Sequence, residues 1–189
     1  MGSDDTKALG RWELIDRVPL GDFKVFRVRK DVSRSPRTGL PHDFYVLDGA
    51  SWVNVIARTA ANEIVLVRQF RHGTGAETLE IPGGCIEESD PSPLAAAQRE
   101  LREETGFASE RWTHLGVVDP NPAIQSNACH TFLAEDAVRV GEVTPDGGED
   151  IRVEIHPFAA VPGLLESGEI RHALVVAALH WYDLARLSL

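Results

Sequence analysis

Three glutamates near the middle of the chain have a spacing that suits metal chemistry. Glu100, Glu103 and Glu104 stand at positions i, i+3 and i+4, so on a helix their carboxylates project from one face. Like charges at this spacing repel one another, and they do so more strongly when they are partly buried. A hard divalent cation offsets this repulsion, and Mg²⁺ accepts a few carboxylates while it keeps waters and substrate phosphates. The spacing fits a magnesium site and equally a surface helix with ordinary Glu/Arg pairs.

A helix with clear start and stop signals carries these acids. Ser92 followed by Pro93 is a good N-cap and first helical position, and Gly106 is a stop signal, so we predict a helix over residues 93–104. Arg99 precedes Glu103 by one turn and can orient its carboxylate. Three apolar residues beside the acidic face would anchor the helix to a sheet: Leu94, Ala97 and Leu101.

The rest of the chain predicts a mixed sheet covered by helices, in an α/β fold. β-branched and aromatic residues indicate strands at residues 23–28, 44–47, 52–57, 64–70, 115–118, 130–134 and 151–155. A second, mostly apolar helix is predicted over residues 172–185. We predict an N-terminal antiparallel β-subdomain over residues 1–49 and a larger domain over residues 50–189. Exposed edges of the N-terminal strands favour pairing with a second subunit, so we expect a homodimer.

Composition limits the classes of partner. The chain has 19 basic and 29 acidic residues, a net charge of −10, which disfavours nucleic acid and anionic membranes. No apolar run reaches membrane-spanning length, and the N-terminal residues lack the pattern of a secretory signal. Two cysteines, Cys85 and Cys129, imply no disulfide framework. We therefore expect a cytoplasmic protein that binds phosphates locally, through a metal or a few arginines.

The acidic helix resembles the Nudix box, G-x5-E-x7-R-E-u-x-E-E-x-G-u, in which u is an aliphatic or aromatic residue. RELREETGF, residues 99–107, matches every fixed position of the second half. The first half departs from the pattern, because Asp90 stands at the first acidic position and eight residues separate it from Arg99, where the pattern has seven. ETLEIPGG, residues 77–84, and SGEIRHALVVAALHWY, residues 167–182, are similar to ADP-ribose pyrophosphatases of this family. The resemblance implies a Nudix α/β/α sandwich.

The resemblance also implies roles for the site residues. Glu100 and Glu104 would be metal ligands, with Glu103 a ligand or close partner and the backbone carbonyl of Gly83 a further ligand. The ion would be Mg²⁺, with Mn²⁺ as an alternative. Glu149 matches the position of the catalytic base, and Asp150 is the alternative base. By the same resemblance, Arg99 and Glu103 would take part in catalysis together with Glu149.

Five residues are predicted to bind the substrate or support its site. Arg68 and Arg71 are candidates for gripping the diphosphate or the terminal ribose, although arginines at strand ends are as often only solvated. Glu80 lies at the mouth of the box, and Pro122 falls where the ADP-ribose pyrophosphatases carry a marker proline. Trp52 is a candidate for stacking on a base. Four histidines show no ligand spacing and are expected to be structural: His72, His130, His156 and His172.

The implied activity is metal-dependent hydrolysis of the pyrophosphate of ADP-ribose to AMP and ribose 5-phosphate. A broader nucleoside-diphosphate-sugar pyrophosphatase, acting for example on GDP-mannose, would use the same metal chemistry. A non-catalytic Nudix ligand sensor is disfavoured, because all three box glutamates remain and no basic extension is present. RNA decapping is disfavoured by the net charge of −10.

Overall fold

The computed structural model describes residues 9–144, 148 and 150–187. Glu149 lies outside these residues, so its predicted role as a base stays a prediction. The chain forms two compact units. One contains the described residues up to Gly49 together with Asn121–Ser126, and the other contains Ala50–Pro120 and the described residues that follow Ser126.

The first unit is an antiparallel sheet of β1 (Glu13–Asp22), β2 (Arg27–Arg34) and β3 (Pro41–Asp48), in that order. The strand predicted over residues 23–28 is wrong for residues 23–26, which form a tight turn closed by a bond from Phe23 N to Phe26 O of 2.9 Å. Asn121–Ser126 belongs to this unit because Leu47 N donates to Ile124 O at 2.7 Å.

The second unit contains a mixed sheet that the described residues build from seven strands. Its path is β12 (Ile151–Pro157), β5 (Glu63–Arg71), β4 (Trp52–Arg58), β10 (Cys129–Glu135) and β9 (Arg111–Val118). Strand β6 (Ala76–Glu80) pairs with β5, and β7 (Gly83–Cys85) pairs with β4. Only the pair β4–β10 is parallel among these strands. Two short strands, β8 (Phe107–Ala108) and β11 (Val138–Arg139), pair with each other outside this sheet.

Helices cover both faces of this sheet, as the predicted α/β/α sandwich requires. On one face α1 (Pro93–Thr105) packs Ala96, Ala97 and Leu101 against a cluster that includes Val53 and Val55. On the other, α2 (Val161–Glu166) and α3 (Ala173–Leu187) pack against a cluster that includes Ile56 and Leu66. Val55 and Ile56 point to opposite faces because side chains alternate along a strand. No helix in the described part of the chain is long and apolar enough to cross a membrane.

The ends of α1 follow the local signals in the sequence. Ser92 is extended and its hydroxyl accepts a hydrogen bond from Ala95 N at 3.2 Å, while Pro93 occupies the first turn. Gly106 ends the helix with φ of 72°, a left-handed conformation that glycine adopts without strain. The helix predicted over residues 93–104 is therefore confirmed to within one residue, and so is the position of its acidic face.

Candidate active site

The carboxylates of Glu104 and Glu100 on α1 lie against two glycines at the start of β7, Gly83 and Gly84, which we call the glycine loop. Gly83 N donates a hydrogen bond of 2.8 Å to Glu104 Oε2, and Glu104 is only 2% exposed. A Cβ on Gly84 would lie 2.4 Å from Glu100 Oε1 and would displace that carboxylate. A Cβ on Gly83 would lie 2.3 Å from Val53 O, where backbone leaves no room for a side chain. Gly84 therefore leaves room for the carboxylate of Glu100, whereas Gly83 lets β7 lie close to β4.

Arg99 holds the acids in place. Its Nη1 donates to Glu100 Oε1 and to Glu103 Oε2, each at 3.0 Å. Its Nε and Nη2 donate to the two oxygens of Asp90 at 3.2 and 2.9 Å, and Nη2 also reaches Cys85 O at 3.0 Å. The bond from Arg99 is the main cause that holds the pKa of Asp90 below its ordinary value. Asp90 therefore pairs with Arg99 despite the additional residue in the loop.

The donor set fits a hard divalent cation. Three carboxylates lie on one face of α1, beside the main chain of the glycine loop, where a Cβ would not fit. Carboxylate and main-chain oxygens are therefore available as ligands at close range. In the described ranges no three His, Cys, Asp or Glu side chains already form a metal-binding cluster. The acids are instead arranged around Arg99 and the N–H of Gly83.

Arg71 and Glu80 form a fixed ion pair near the glycine loop. Arg71 Nε and Nη2 donate to Glu80 Oε1 and Oε2 at 2.9 and 2.8 Å, and Thr78 Oγ1 donates to Oε1 at 2.6 Å. Burial works to raise the pKa of Glu80, but the bonds from Arg71 and Thr78 outweigh it and hold the pKa below its ordinary value. Glu80 therefore stays ionised and orients the guanidinium of Arg71, which is 43% exposed.

Arg68, another predicted substrate residue, pairs with two acidic side chains. Arg68 Nε donates to Glu154 at 2.7 Å and its Nη2 donates to Glu169 at 3.0 Å. The bond from Arg68 is the main cause that lowers the pKa of Glu154 to about 2. Pro122 lies in the segment that belongs to the N-terminal unit. The roles of Arg68 and Pro122 stay predictions.

A cavity of about 950 Å³ opens beside the glycine loop. Its walls are the start of β4, the ends of β5 and β6, the glycines of β7 and the beginning of α3, and it contains both members of the Arg71–Glu80 pair. Trp52 also lines it. Sequence reasoning missed Asn54 in this cavity and treated His172 as structural. The available signal for Asn54 was one amide side chain within an otherwise apolar strand, WVNVIA.

Comparisons with known proteins show the family and the fold of this chain. The family model of the NUDIX domain matches residues 50–179. The chain is 30% identical to an ADP-sugar pyrophosphatase of Mus musculus, over 97% of this chain and 85% of the relative. It is 27% identical to an ADP-ribose pyrophosphatase of Mycobacterium tuberculosis, over 89% and 81% of the two chains. A crystal structure of an ADP compounds hydrolase has the same fold, with a TM-score of 0.83 at 22% identity over 94% and 95% of the chains. The chain therefore belongs to the Nudix hydrolase family.

Proposed function

We propose that this enzyme hydrolyses the diphosphate of ADP-ribose, giving AMP and ribose 5-phosphate. The observation that carries the proposal is the acidic face of α1, held against Gly83 and Gly84 at the wall of a cavity of about 950 Å³. That volume suits a ligand of nucleotide-sugar size. The names of the mouse and mycobacterial relatives support ADP-sugars as the substrate class.

The metal would be Mg²⁺, with Mn²⁺ as an alternative. Glu100, Glu103, Glu104 and the carbonyl oxygen of Gly83 would hold it, in line with the positions that match the Nudix box. When bound, the ion supplies positive charge that activates water and stabilises phosphate oxygens. Arg99 keeps two of the carboxylates together through its Nη1, and the pairing with Asp90 restrains the guanidinium in turn.

The reaction joins one water to the diphosphate. A water oxygen forms a bond to one phosphorus, the bridging P–O bond breaks, and the bridging oxygen leaves with the other phosphate. The water proton passes to a carboxylate, for which Glu149 is proposed and Asp150 is the alternative. Arg71, oriented by Glu80, offers a fixed positive charge to the diphosphate.

A panel of substrates tests the proposal. ADP-ribose, ADP-glucose, GDP-mannose and diadenosine diphosphate are each incubated with the enzyme and Mg²⁺, and the released monophosphates are separated and quantified. We expect the highest kcat/KM for ADP-ribose, and no turnover in EDTA. A higher kcat/KM for GDP-mannose would favour a broader nucleoside-diphosphate-sugar pyrophosphatase over an enzyme specific for ADP-ribose. Absence of turnover with every compound would overturn the enzymatic proposal.

We also propose that two copies of the chain associate through the N-terminal sheet. In the described part of the chain, β1 is an edge strand that pairs only with β2. Many large apolar side chains of this unit are exposed, and apolar side chains that are exposed together mark interaction surfaces. They include Trp12, Leu14, Ile15, Leu20, Phe44 and Tyr45.

Light scattering is expected to return about twice the chain mass of 20.7 kDa. Leu14→Glu and Leu20→Glu each place a charge among apolar side chains that are half exposed in the single chain, so both variants should shift the protein to monomer. Val138→Glu, at an exposed valine of the Nudix domain, is the matched control and should remain dimeric. A wild-type monomer at working concentration would contradict the proposal.

A further inference from the structure

Asn54 presents a buried oxygen that the described part of the chain does not satisfy. The residue is 7% exposed and lines the cavity beside the glycine loop. Its Nδ2 donates to Leu174 O at 3.3 Å, which fixes the orientation of the amide because a carbonyl accepts only from the nitrogen side. Its Oδ1 is buried and has no hydrogen-bond partner among the described residues.

His172 presents a second atom of this kind on the same cavity. Its Nδ1 is buried and, within the residues described, has no partner. Its backbone is well anchored, because His172 O accepts from Val175 N and Val176 N at the first turn of α3. The ring lies near enough to Glu80 to contribute to the lowering of the pKa of that carboxyl. Asn54 lies within β4, and His172 directly precedes α3.

Two buried polar atoms without partners lower the stability of the folded chain, and packing gives no reason for their presence. A buried polar atom without a partner typically destabilises a protein by about 1–3 kcal/mol, and such atoms are rare in folded chains. A ligand that supplies the missing partners removes the cost on binding. Asn54 is the register partner of Gly83 in the β4–β7 pair, and a Cβ on Gly83 would lie 3.2 Å from Asn54 Cβ, so the side chain of Asn54 begins next to the glycine loop.

We propose that Asn54 and His172 recognise ribose hydroxyls of the nucleotide sugar. An amide oxygen only accepts hydrogen bonds, so its partner must donate, which an ionised phosphate does not do. A hydroxyl donates to Asn54 Oδ1, and a neighbouring hydroxyl pairs with His172 Nδ1 in either tautomer. The ribose carbons follow the phosphate directly in ADP-ribose, so their hydroxyls are the donors nearest to a diphosphate held at the glycine loop. The inference rests on the proposed function for the position of that diphosphate.

Binding measurements test the inference without turnover. Isothermal titration calorimetry in EDTA compares wild type with Asn54→Leu, which keeps similar side-chain volume, and with His172→Phe. His130→Phe is the matched control, because this histidine of β10 lies outside the cavity lining. Each of the first two variants is expected to bind ADP-ribose about tenfold more weakly, as the loss of one hydrogen bond predicts. His130→Phe should bind as wild type does.

Analogues identify the group that is recognised. One set lacks a hydroxyl of the nucleoside ribose, a second lacks a hydroxyl of the terminal ribose, and a third replaces adenine by hypoxanthine. Removal of the recognised hydroxyl should weaken binding to wild type about tenfold, with no further loss in the matching variant. The set that shows this coupling identifies which ribose is bound. Coupling to hypoxanthine alone would assign the two residues to the base and overturn the inference.

The remaining outcomes separate the inference from the proposed function. Two results overturn the inference alone if ADP-ribose is still hydrolysed. In the first, wild type and both variants bind ADP-ribose equally; in the second, the variants bind every analogue more weakly than wild type by the same factor. Hydroxyl-dependent binding without hydrolysis under Mg²⁺ supports the inference and overturns the proposed activity. A wild-type protein that neither binds any of the compounds nor hydrolyses them under Mg²⁺ overturns both. Circular dichroism of each variant confirms that it is folded before binding is compared.

Discussion

Replacement of Glu104 by glutamine is expected to lower kcat at least about a hundredfold, because it removes one negative charge from the proposed metal site. Glu104 is 2% exposed and accepts a hydrogen bond from Gly83 N. Glutamine keeps the volume and an oxygen that can accept the same bond, so the contact with the glycine loop can persist. The expected loss is therefore one of charge and not of packing.

Steady-state kinetics with ADP-ribose and saturating Mg²⁺ measure this effect, with thermal unfolding as the check on the fold. Glu110→Gln is the matched control, since Glu110 is exposed, follows α1 and has no proposed role. It should retain the wild-type kcat. Near-native turnover by a folded Glu104→Gln protein would remove Glu104 from the metal site and with it the assignment based on the acidic face.

The local signals of α1 made this part of the site predictable. Capping by Ser92, the proline that follows it and the left-handed Gly106 act within a few residues of the helix ends, so the sequence contains them directly. The face on which Glu100 and Glu104 lie then follows from helical geometry. The pairing of Asp90 with Arg99 was not predictable in the same way, because it depends on the path of a loop with one additional residue.

Strand geometry explains why the two predicted arginines separate. Arg68 and Arg71 both lie on β5, three residues apart, and side chains at this spacing point to opposite faces of a strand. Arg71 meets Glu80 of β6, whereas Arg68 meets Glu154 of β12 and Glu169. The sequence supplied this alternation, but it did not supply which neighbouring strand would carry an acid on each face.

Long-range placement accounts for the remaining differences. The sequence of β1 contains charged residues and Pro19, so it lacks the alternation that marks a half-buried strand. Two register shifts also interrupt its pairing with β2. Its pairing with β2 depends on a partner strand and not on its own pattern. Asn54 was not identified because its importance arises from the beginning of α3, about 120 residues further along the chain.

The base that accepts the water proton is the second assignment with a large expected effect. Loss of a general base typically costs about 10²–10⁴-fold in rate, whereas loss of a solvated acid costs almost nothing. Glu149 matches the position of the base in the resemblance to ADP-ribose pyrophosphatases. Asp150 is exposed and directly precedes β12. The two neighbouring acids provide their own comparison.

Glu149→Gln is expected to lower kcat and kcat/KM together by about 10²–10⁴-fold and to leave KM nearly unchanged, because a base acts on the water in the transition state and not on substrate binding. Asp150→Asn, made and assayed beside it with ADP-ribose and saturating Mg²⁺, should retain most of the wild-type rate. The opposite result would move the base by one residue to Asp150. Unimpaired turnover in both variants would exclude this loop as the source of the base, and Glu103, which is 43% exposed on the acidic face of α1, would then be the leading candidate.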